Sequence, residues 1–226
     1  LSGFTRNDQA AALDILEVAQ PGDLIIRDLG YFVVRAFRWI AEIGAFFVSR
    51  CRLDISFYDP RTGAALNLAA ELRRSGYLDR EVWLGSQKFP VRLVALPVPE
   101  AVANERRRRA KQNRDRRYPP SARRLFLLGW TLLITNVARS VWPAKVLAAI
   151  YRLRWRIEMI FKAWKSHLGL RQFHCRSAKV LRLSVMTKLL FCVLVYRCCQ
   201  SLELLCGCAG RHVSLQRLAR IMAACA

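Results

Sequence analysis

The stretch that decides the fold is DLIIRDLGYFVVRAFRWIAEIGAFFVSRCR, residues 23–52. Its "LII" predicts a short buried strand with Asp28 at the carboxyl end, and "FVVRAFRWIAEIG" predicts a helix that ends at Gly44. "AFFVSRCR" then has the β-branched and aromatic character of a second strand. Upstream, "NDQAAALDILEVAQ" repeats apolar residues at helical spacing and predicts a further helix before Pro21. Strands alternating with helices in this way are typical of an α/β sheet.

The rest of the chain divides into a middle segment and a second α/β segment. "VWLG" and "VRLVALPV" are strand candidates separated by turns, and residues 105–124 form a basic arm with ten Arg or Lys residues against two acids. "LFLLGWTLLITN" predicts a long strand, and Pro143 predicts the start of a helix that runs to about Leu168. We therefore expect a core formed by residues 1–50 and 125–226, interrupted by a β-rich insertion with the basic arm at residues 51–124.

The composition favours a folded protein that binds a polyanion. The 226 residues are 54% hydrophobic, and 38 Lys and Arg against 16 Asp and Glu give a formal net charge of +22. Nucleic acid is the leading partner, and an anionic membrane surface is the second. The apolar run near the C-terminus has only eight residues between Lys188 and Arg197, too few to cross a bilayer of about 30 Å. The eight cysteines lack zinc-site spacing and are interpreted as reduced core thiols of a cytoplasmic protein.

A single acid stands among cations in YRLRWRIEMIFKAWK, residues 151–165. Exposed ion pairs on a helix contribute only about 0.3 to 0.5 kcal/mol each, so stability alone does not account for this pattern. The pattern favours a face that meets phosphates, where Glu158 would need a divalent cation between itself and the phosphate. At helical spacing, one polar stripe carries Tyr151, Arg154, Glu158, Lys162 and Lys165. A second stripe at core spacing carries Leu153, Ile157, Ile160, Phe161, Trp164 and Leu168.

These residues also carry a family resemblance. Tyr151, Arg154, Glu158 and Lys165 are separated by two, three and six residues. That spacing resembles the signature of the DDE transposases of bacterial insertion sequences, in the family founded on insertion sequence four that includes the Tn-five-type transposase. "RWRIE" and "KAWK" resemble the Tn-five-type version, "NDQ" and "DLGYF" resemble the segment around the second catalytic aspartate, and "LLITN" resembles the strand before the signature helix.

The resemblance implies a mixed sheet similar to ribonuclease H and a two-metal site. Asp28 would be the second catalytic aspartate and Glu158 the glutamate. In the complete enzyme they would bind two Mg²⁺ or Mn²⁺ ions for phosphodiester hydrolysis and strand transfer at the ends of the element. The implied partners are DNA, as terminal inverted repeats and target, and a second copy of the chain in a synaptic dimer; the implied location is the bacterial cytoplasm, at the nucleoid. The implied contacts with the transposon end are Tyr151, Arg154, Lys162 and Lys165.

Trp130 and His174 each have two interpretations. Trp130 lies on the strand leading to "LLITN", where the Tn-five-type enzyme has a tryptophan that stacks on a base flipped out of the end. A tryptophan on a strand also commonly belongs to the core. His174, in "QFHCRS", is interpreted either as a DNA contact or as a helix cap.

The chain departs from the family before Asp28. The resemblance implies a first aspartate several dozen residues upstream, but only 27 residues precede Asp28. Asp8, Asp14 and Asp23 lie in the "NDQ" segment, a predicted helix and a predicted turn, so none is expected to be a strand-borne ligand. A second departure is Arg27, which we expect to point to the opposite side of the sheet from Asp28.

We therefore expect a transposase truncated at its N-terminus that has no transposase activity by itself. The competing hypothesis is a non-catalytic DNA-binding remnant or a domesticated DNA binder. A peripheral membrane protein, the third hypothesis, explains the charge but not the ordered polar stripe.

Overall fold

The computed structural model describes residues 10–112, 119–167 and 177–207, together with positions 214, 217–218 and 220–221. The chain forms two compact units, Leu1–Arg152 and Leu153–Ala226. The division of the chain at residues 50 and 124 stays a prediction. Over the described ranges, every helix is too short or too polar to cross a membrane.

One six-stranded sheet organises the first unit. Its strands are β1 (Leu24–Arg27), β2 (Phe46–Arg50), β3 (Phe57–Tyr58), β4 (Leu78–Leu84), β5 (Phe89–Pro97) and β6 (Trp130–Thr135). They lie in the order β1-β2-β6-β5-β4-β3; β1 is parallel to β2, and every other neighbouring pair is antiparallel. The sheet is therefore mixed and the predicted α/β class is confirmed. The strands of the expected insertion extend this same sheet.

Helices flank the sheet and connect its strands. A 3₁₀ helix over Ala10–Glu17 takes the place of the helix predicted before Pro21. The helix predicted between the first two strands is confirmed, and it ends through Gly44, which adopts a left-handed φ of +74°. The α-helices of this unit are α1 (Val34–Glu42), α2 (Leu68–Ser75), α3 (Glu100–Lys111), α4 (Ala122–Leu127) and α5 (Ala144–Arg152).

Both faces of the sheet are buried because β5 and β6 are apolar at successive positions. Leu93 and Ile134 face one core, which includes Phe37 and Ile40 of α1. Their neighbours face a second core, formed by Val48, Val94, Leu133, Ala144, Leu147 and Tyr151. Since the last three of these residues belong to α5, packing on the sheet fixes the position of that helix.

The long strand predicted over "LFLLGWTLLITN" is wrong in its first half. Residues Ala122–Leu127 form α4, and the strand begins only at Trp130. The Ser121 hydroxyl accepts a hydrogen bond from the Arg124 N–H at 3.2 Å and caps this helix. An apolar run by itself does not distinguish a buried helix from a buried strand, and here the Ser121 cap favours the helix.

The single helix predicted from Pro143 to about Leu168 is also wrong. It is interrupted at Leu153, so that α5 ends at Arg152 and α6 comprises Arg154–His167. Tyr151 therefore lies on a different helix from Arg154, Glu158, Lys162 and Lys165, and in a different unit.

The second unit contains α6 and α7 (Ala178–Gly207), which pack around Ala163, Cys192 and Val195. The predicted core stripe of α6 is wrong at Leu153, Ile157 and Phe161, which are each close to half exposed. The small side chain of Ala163 permits close approach, so the contact with α7 centres there. Trp164 packs against this core from the side, and Leu168 lies outside the described residues.

The described cysteines are free thiols, and three of them, Cys51, Cys192 and Cys199, are buried as predicted. Burial raises the pKa of each of these three thiols. Cys198 is exposed and does not belong to a core. The three buried thiols resemble structural cysteines, since reactive cysteines have lowered pKa values.

Candidate active site

Asp28 occupies the predicted position at the carboxyl end of β1. It is the N-cap residue of a one-turn 3₁₀ helix, Leu29–Tyr31, and its carbonyl accepts a hydrogen bond from the Tyr31 N–H at 3.1 Å. Its Oδ1 atom accepts a hydrogen bond from the Tyr151 hydroxyl at 3.4 Å. The structure thus brings together two predicted site residues that are 123 positions apart in the sequence.

Arg27, the departure beside Asp28, has a structural role on the other side of β1. The guanidinium group is buried and donates hydrogen bonds to the carbonyl oxygens of Ala12 and Tyr31. Successive strand residues point to opposite faces, so Arg27 holds the first 3₁₀ helix while Asp28 faces α5. The expectation that the two side chains point to opposite sides is confirmed.

Tyr151 belongs mainly to the second core of the sheet. Its side chain is only 9% exposed and packs with Val48 and Leu133, and its hydroxyl reaches the Asp28 carboxylate. This burial assigns the ring to packing; the predicted contact of Tyr151 with DNA stays a prediction.

Replacing Tyr151 by Phe is expected to lower the free energy of unfolding by about 1 kcal/mol or less, because the ring stays packed and one long hydrogen bond is lost. Urea denaturation measures the change. A loss above about 2 kcal/mol would show that the hydroxyl contributes more to the fold than this single contact allows.

The remaining signature residues lie on α6 in the second unit. Glu158 forms an ion pair with Arg154, whose side chain is 15% exposed against 44% for the glutamate. Lys162 and Lys165 are exposed, and together with Glu158 and Phe161 they line a shallow depression of about 340 Å³. The structure therefore presents Glu158 and two lysines on one accessible surface of this helix.

Trp130 packs against the first core and also borders a cavity. The ring is partly buried against the first core, and its centroid lies 6.1 Å from that of Phe126. Trp130 also lines an open cavity of about 470 Å³. Core packing is thus observed, and base stacking stays a prediction.

Comparison with known proteins decides the family. A family model described as "Transposase DDE domain" matches residues 5–195. The chain belongs to the DDE transposase family. Its mixed sheet with flanking helices is consistent with the ribonuclease H-like fold expected of such a transposase.

Individual transposases are similar over much of this chain. It is 27% identical over 184 residues to the transposase for insertion sequence element IS231B of Bacillus thuringiensis subsp. berliner, covering 71% of this chain and 38% of that protein. It is 28% identical over 190 residues to the transposase for IS231D of subsp. finitimus, covering 74% and 39%. A putative transposase, InsL for IS186A of Escherichia coli K12, is 32% identical over 108 residues, which cover 47% of this chain and 29% of that protein. The chain spans about two fifths of the length of the two IS231 relatives.

The three acids before Asp28 were not expected to be ligands, and two of them, with their surroundings, fall within the described ranges. Asp23 caps a turn, since its Oδ2 atom accepts a hydrogen bond from the Gln20 N–H at 2.8 Å. Asp14 is an exposed residue of the first 3₁₀ helix. Asp8 and His174 lie outside the described residues. In the ranges that the structure describes, no group of three or more His, Cys, Asp or Glu side chains is arranged to hold a metal ion.

The sequence interpretation missed the arginines that line the cavity beside Trp130. Arg50 is the last residue of β2 and Arg52 follows it, whereas Arg123 and Arg124 belong to the basic arm, so the two pairs are far apart in the sequence. A signal for the first pair exists in "FFVSRCR", where the apolar strand ends on one arginine and a second arginine comes two residues later. No sequence pattern indicated that the two pairs meet.

Proposed function

We propose that this chain contributes to DDE transposition by binding the terminal inverted repeats of its insertion sequence, with Asp28 and Glu158 as metal ligands. The supporting observation is that Glu158, Lys162 and Lys165 share one accessible surface of α6 in a chain that matches the DDE domain over residues 5–195. Phosphates attract the lysines and repel the glutamate, so this mixture suits a surface where a cation screens the carboxylate.

The two proposed ligands suit Mg²⁺ or Mn²⁺ because they are carboxylates, and hard divalent cations prefer oxygen ligands. In the complete enzyme these carboxylates would hold such ions, and the ions would supply activation of water or a 3′-hydroxyl and stabilisation of the leaving oxygen in hydrolysis and strand transfer. Tyr151 holds the Asp28 carboxylate through its hydroxyl. Arg154 holds Glu158 by their ion pair, so Glu158 must share or exchange this partner to bind a cation.

The other residues of the proposal act on DNA. The backbone phosphates near the cut are contacted by Arg154, Lys162 and Lys165, and also by Tyr151 at the end of α5. Trp130 stacks on an exposed base. We expect the 226-residue chain by itself to bind such ends without cleaving them, because Asp28 and Glu158 are only two of the three carboxylates of a DDE site. Action as a dimer across two ends, capture of target DNA, and a cytoplasmic location at the nucleoid belong to the same proposal.

Replacing Lys162 or Lys165 by Ala is expected to weaken binding to a duplex of the element's own inverted repeat and to lower the salt slope by about one each. Each lysine that contacts a phosphate releases about one condensed counterion, which the slope of log K against log salt reports. Fluorescence anisotropy in buffer with EDTA measures the slope without cleavage. Arg61→Ala, an exposed cation in the turn after β3, is the matched control. Equal slopes for the lysine variants and the control would exclude α6 as the DNA contact.

A further inference from the structure

The cavity beside Trp130 carries an unusual charge. Four arginines line it, and Asp54 is the one acid among the lining residues. This gives a formal surplus of three positive charges in about 470 Å³. The four arginines are Arg50, Arg52, Arg123 and Arg124.

The acid is already committed to one of these arginines. Arg52 Nε donates a hydrogen bond to Asp54 Oδ1 at 2.9 Å. This hydrogen bond holds the pKa of Asp54 below its usual range, and the charges of Arg52 and Arg124 act in the same direction. Asp54 therefore neutralises Arg52, while the other three guanidinium groups of the cavity exceed the acid available in its walls.

Neighbouring arginines repel one another at this site. Arg106 of α3 donates a hydrogen bond to the Trp130 carbonyl at 3.1 Å, which holds it beside the cavity. Burial, and then the positive charge of Arg50, lower the pKa of Arg106. Folding thus brings like charges together, and a bound anion would reduce their repulsion. An anion that binds only the folded state therefore stabilises the fold.

The cavity also has an apolar wall, formed by Leu53, Leu127, Leu132 and Trp130. Apolar side chains lower the local dielectric constant and strengthen the attraction between an anion and the guanidinium groups. Leu29, the residue after Asp28, belongs to the same lining. An anion bound here would therefore lie beside the strand end that carries a proposed metal ligand.

We propose that this cavity binds one phosphate group of a DNA backbone, with Arg50, Arg123 and Arg124 as its ligands. Guanidinium groups recognise phosphate through paired N–H donors, which a cluster of arginines supplies from several directions. The choice of DNA as the source of the phosphate rests on the proposed function. Its lining contains no lysine of α6, and its arginines come from the end of β2, the segment after it and the segment before β6.

The test combines inorganic phosphate and duplex DNA as probes on the purified chain. Inorganic phosphate, compared with chloride at equal ionic strength, is expected to raise the melting temperature by about 3 to 6 °C at ten times its Kd. Arg123→Ala and Arg124→Ala should lose this shift and lower the DNA salt slope by about one each. Arg123→Lys keeps the charge and should restore the slope but only part of the phosphate shift. Arg61→Ala is again the control.

The possible outcomes separate this site from the proposed function. Equal phosphate shifts in the two cavity variants and the control would overturn the site, even if the lysines of α6 still bind DNA. Loss of the phosphate shift with an unchanged DNA slope would overturn DNA as the source and assign the cavity to free phosphate. Absence of any DNA binding, with a phosphate shift that depends on Arg123, would overturn the proposed function and the DNA source while supporting an anion site.

Discussion

Removal of either partner of the Asp79–Arg92 pair is expected to destabilise the first unit by about 3 to 5 kcal/mol. Arg92 Nε and Nη2 donate hydrogen bonds to the two Asp79 carboxylate oxygens at 2.7 and 2.9 Å, and both side chains are 2% exposed. A variant without Asp79 leaves the buried Arg92 charge with no carboxylate partner, and a variant without Arg92 leaves buried Asp79 with only the exposed Arg139, at 3.3 Å, as its counter-ion. That penalty is large because the group cannot recover its hydration in the interior.

The pair also anchors the loop that leads into α5. Arg92 Nη1 donates hydrogen bonds to the carbonyl oxygens of Val137, at 3.3 Å, and Trp142, at 2.8 Å. Both carbonyls precede Ala144, the first residue of α5, which carries Tyr151 to Asp28. Loss of Arg92 therefore removes support from the proposed metal ligand as well as from the sheet.

Urea denaturation of Asp79→Asn and Arg92→Ala measures this effect. Arg74→Ala, which removes an exposed ion pair with Glu71 on α2, is the matched control and should cost less than about 1 kcal/mol. A loss no larger than that of Arg74→Ala in both buried variants would contradict the assignment.

The same pair predicts a dependence on acid. Burial raises the pKa of Asp79, but the hydrogen bonds and charge of Arg92, together with the Tyr77 hydroxyl and the charge of Arg139, outweigh it and leave the pKa lowered on balance. A carboxylate with a lowered folded-state pKa contributes stability above its unfolded-state value, and that stability is lost as the pH falls through the folded-state pKa. The difference between wild type and Asp79→Asn should therefore shrink below about pH 4.

The local elements with strong patterns were predictable from the sequence. β1, α1 and β2 follow from alternating apolar runs that end at a turn or at Gly44. The order of the sheet was not predictable, because β6 lies between β2 and β5 and this pairing joins segments about 85 and 40 residues apart. For the same reason the sequence did not indicate that β3, β4 and β5, which lie within the predicted insertion, pair into this same sheet.

The interruption at Leu153 illustrates why a pattern fails. Apolar spacing continues across residues 144–165 with no proline or glycine, so periodicity predicts one helix. The structure ends α5 where its packing on the sheet ends, at Arg152, and tertiary contacts override local preference. Arg92 was missed for a related reason. Its position within "VRLVALPV" predicted a strand, and only the fold shows that Asp79 on β4 faces it.

Glu158→Gln is expected to tighten binding to inverted-repeat DNA about tenfold in buffer with EDTA, and to abolish the gain that Mg²⁺ gives the wild type. Without a cation the carboxylate repels the phosphate, and two unit charges 4 Å apart near a surface interact by about 1 to 4 kcal/mol. Tenfold corresponds to about 1.4 kcal/mol, at the low end of this range. The neutral amide of this variant also cannot form the present ion pair with Arg154.

The same binding measurement with and without Mg²⁺, at constant ionic strength, distinguishes a metal-binding catalytic site from a surface that only binds DNA. If Asp28 and Glu158 are metal ligands, Mg²⁺ raises the affinity of the wild type for DNA until it equals that of Glu158→Gln. Mg²⁺ should then not raise the DNA affinity of Asp28→Asn. Glu105→Gln is the matched control, because Glu105 is a glutamate paired with Arg108 and Arg109 on the basic helix α3. An equal gain in that variant would indicate a general charge effect. A tenfold difference in affinity between wild type and Glu158→Gln that is the same with and without Mg²⁺ would favour the non-catalytic DNA binder. Glu158 would then repel DNA and bind no cation.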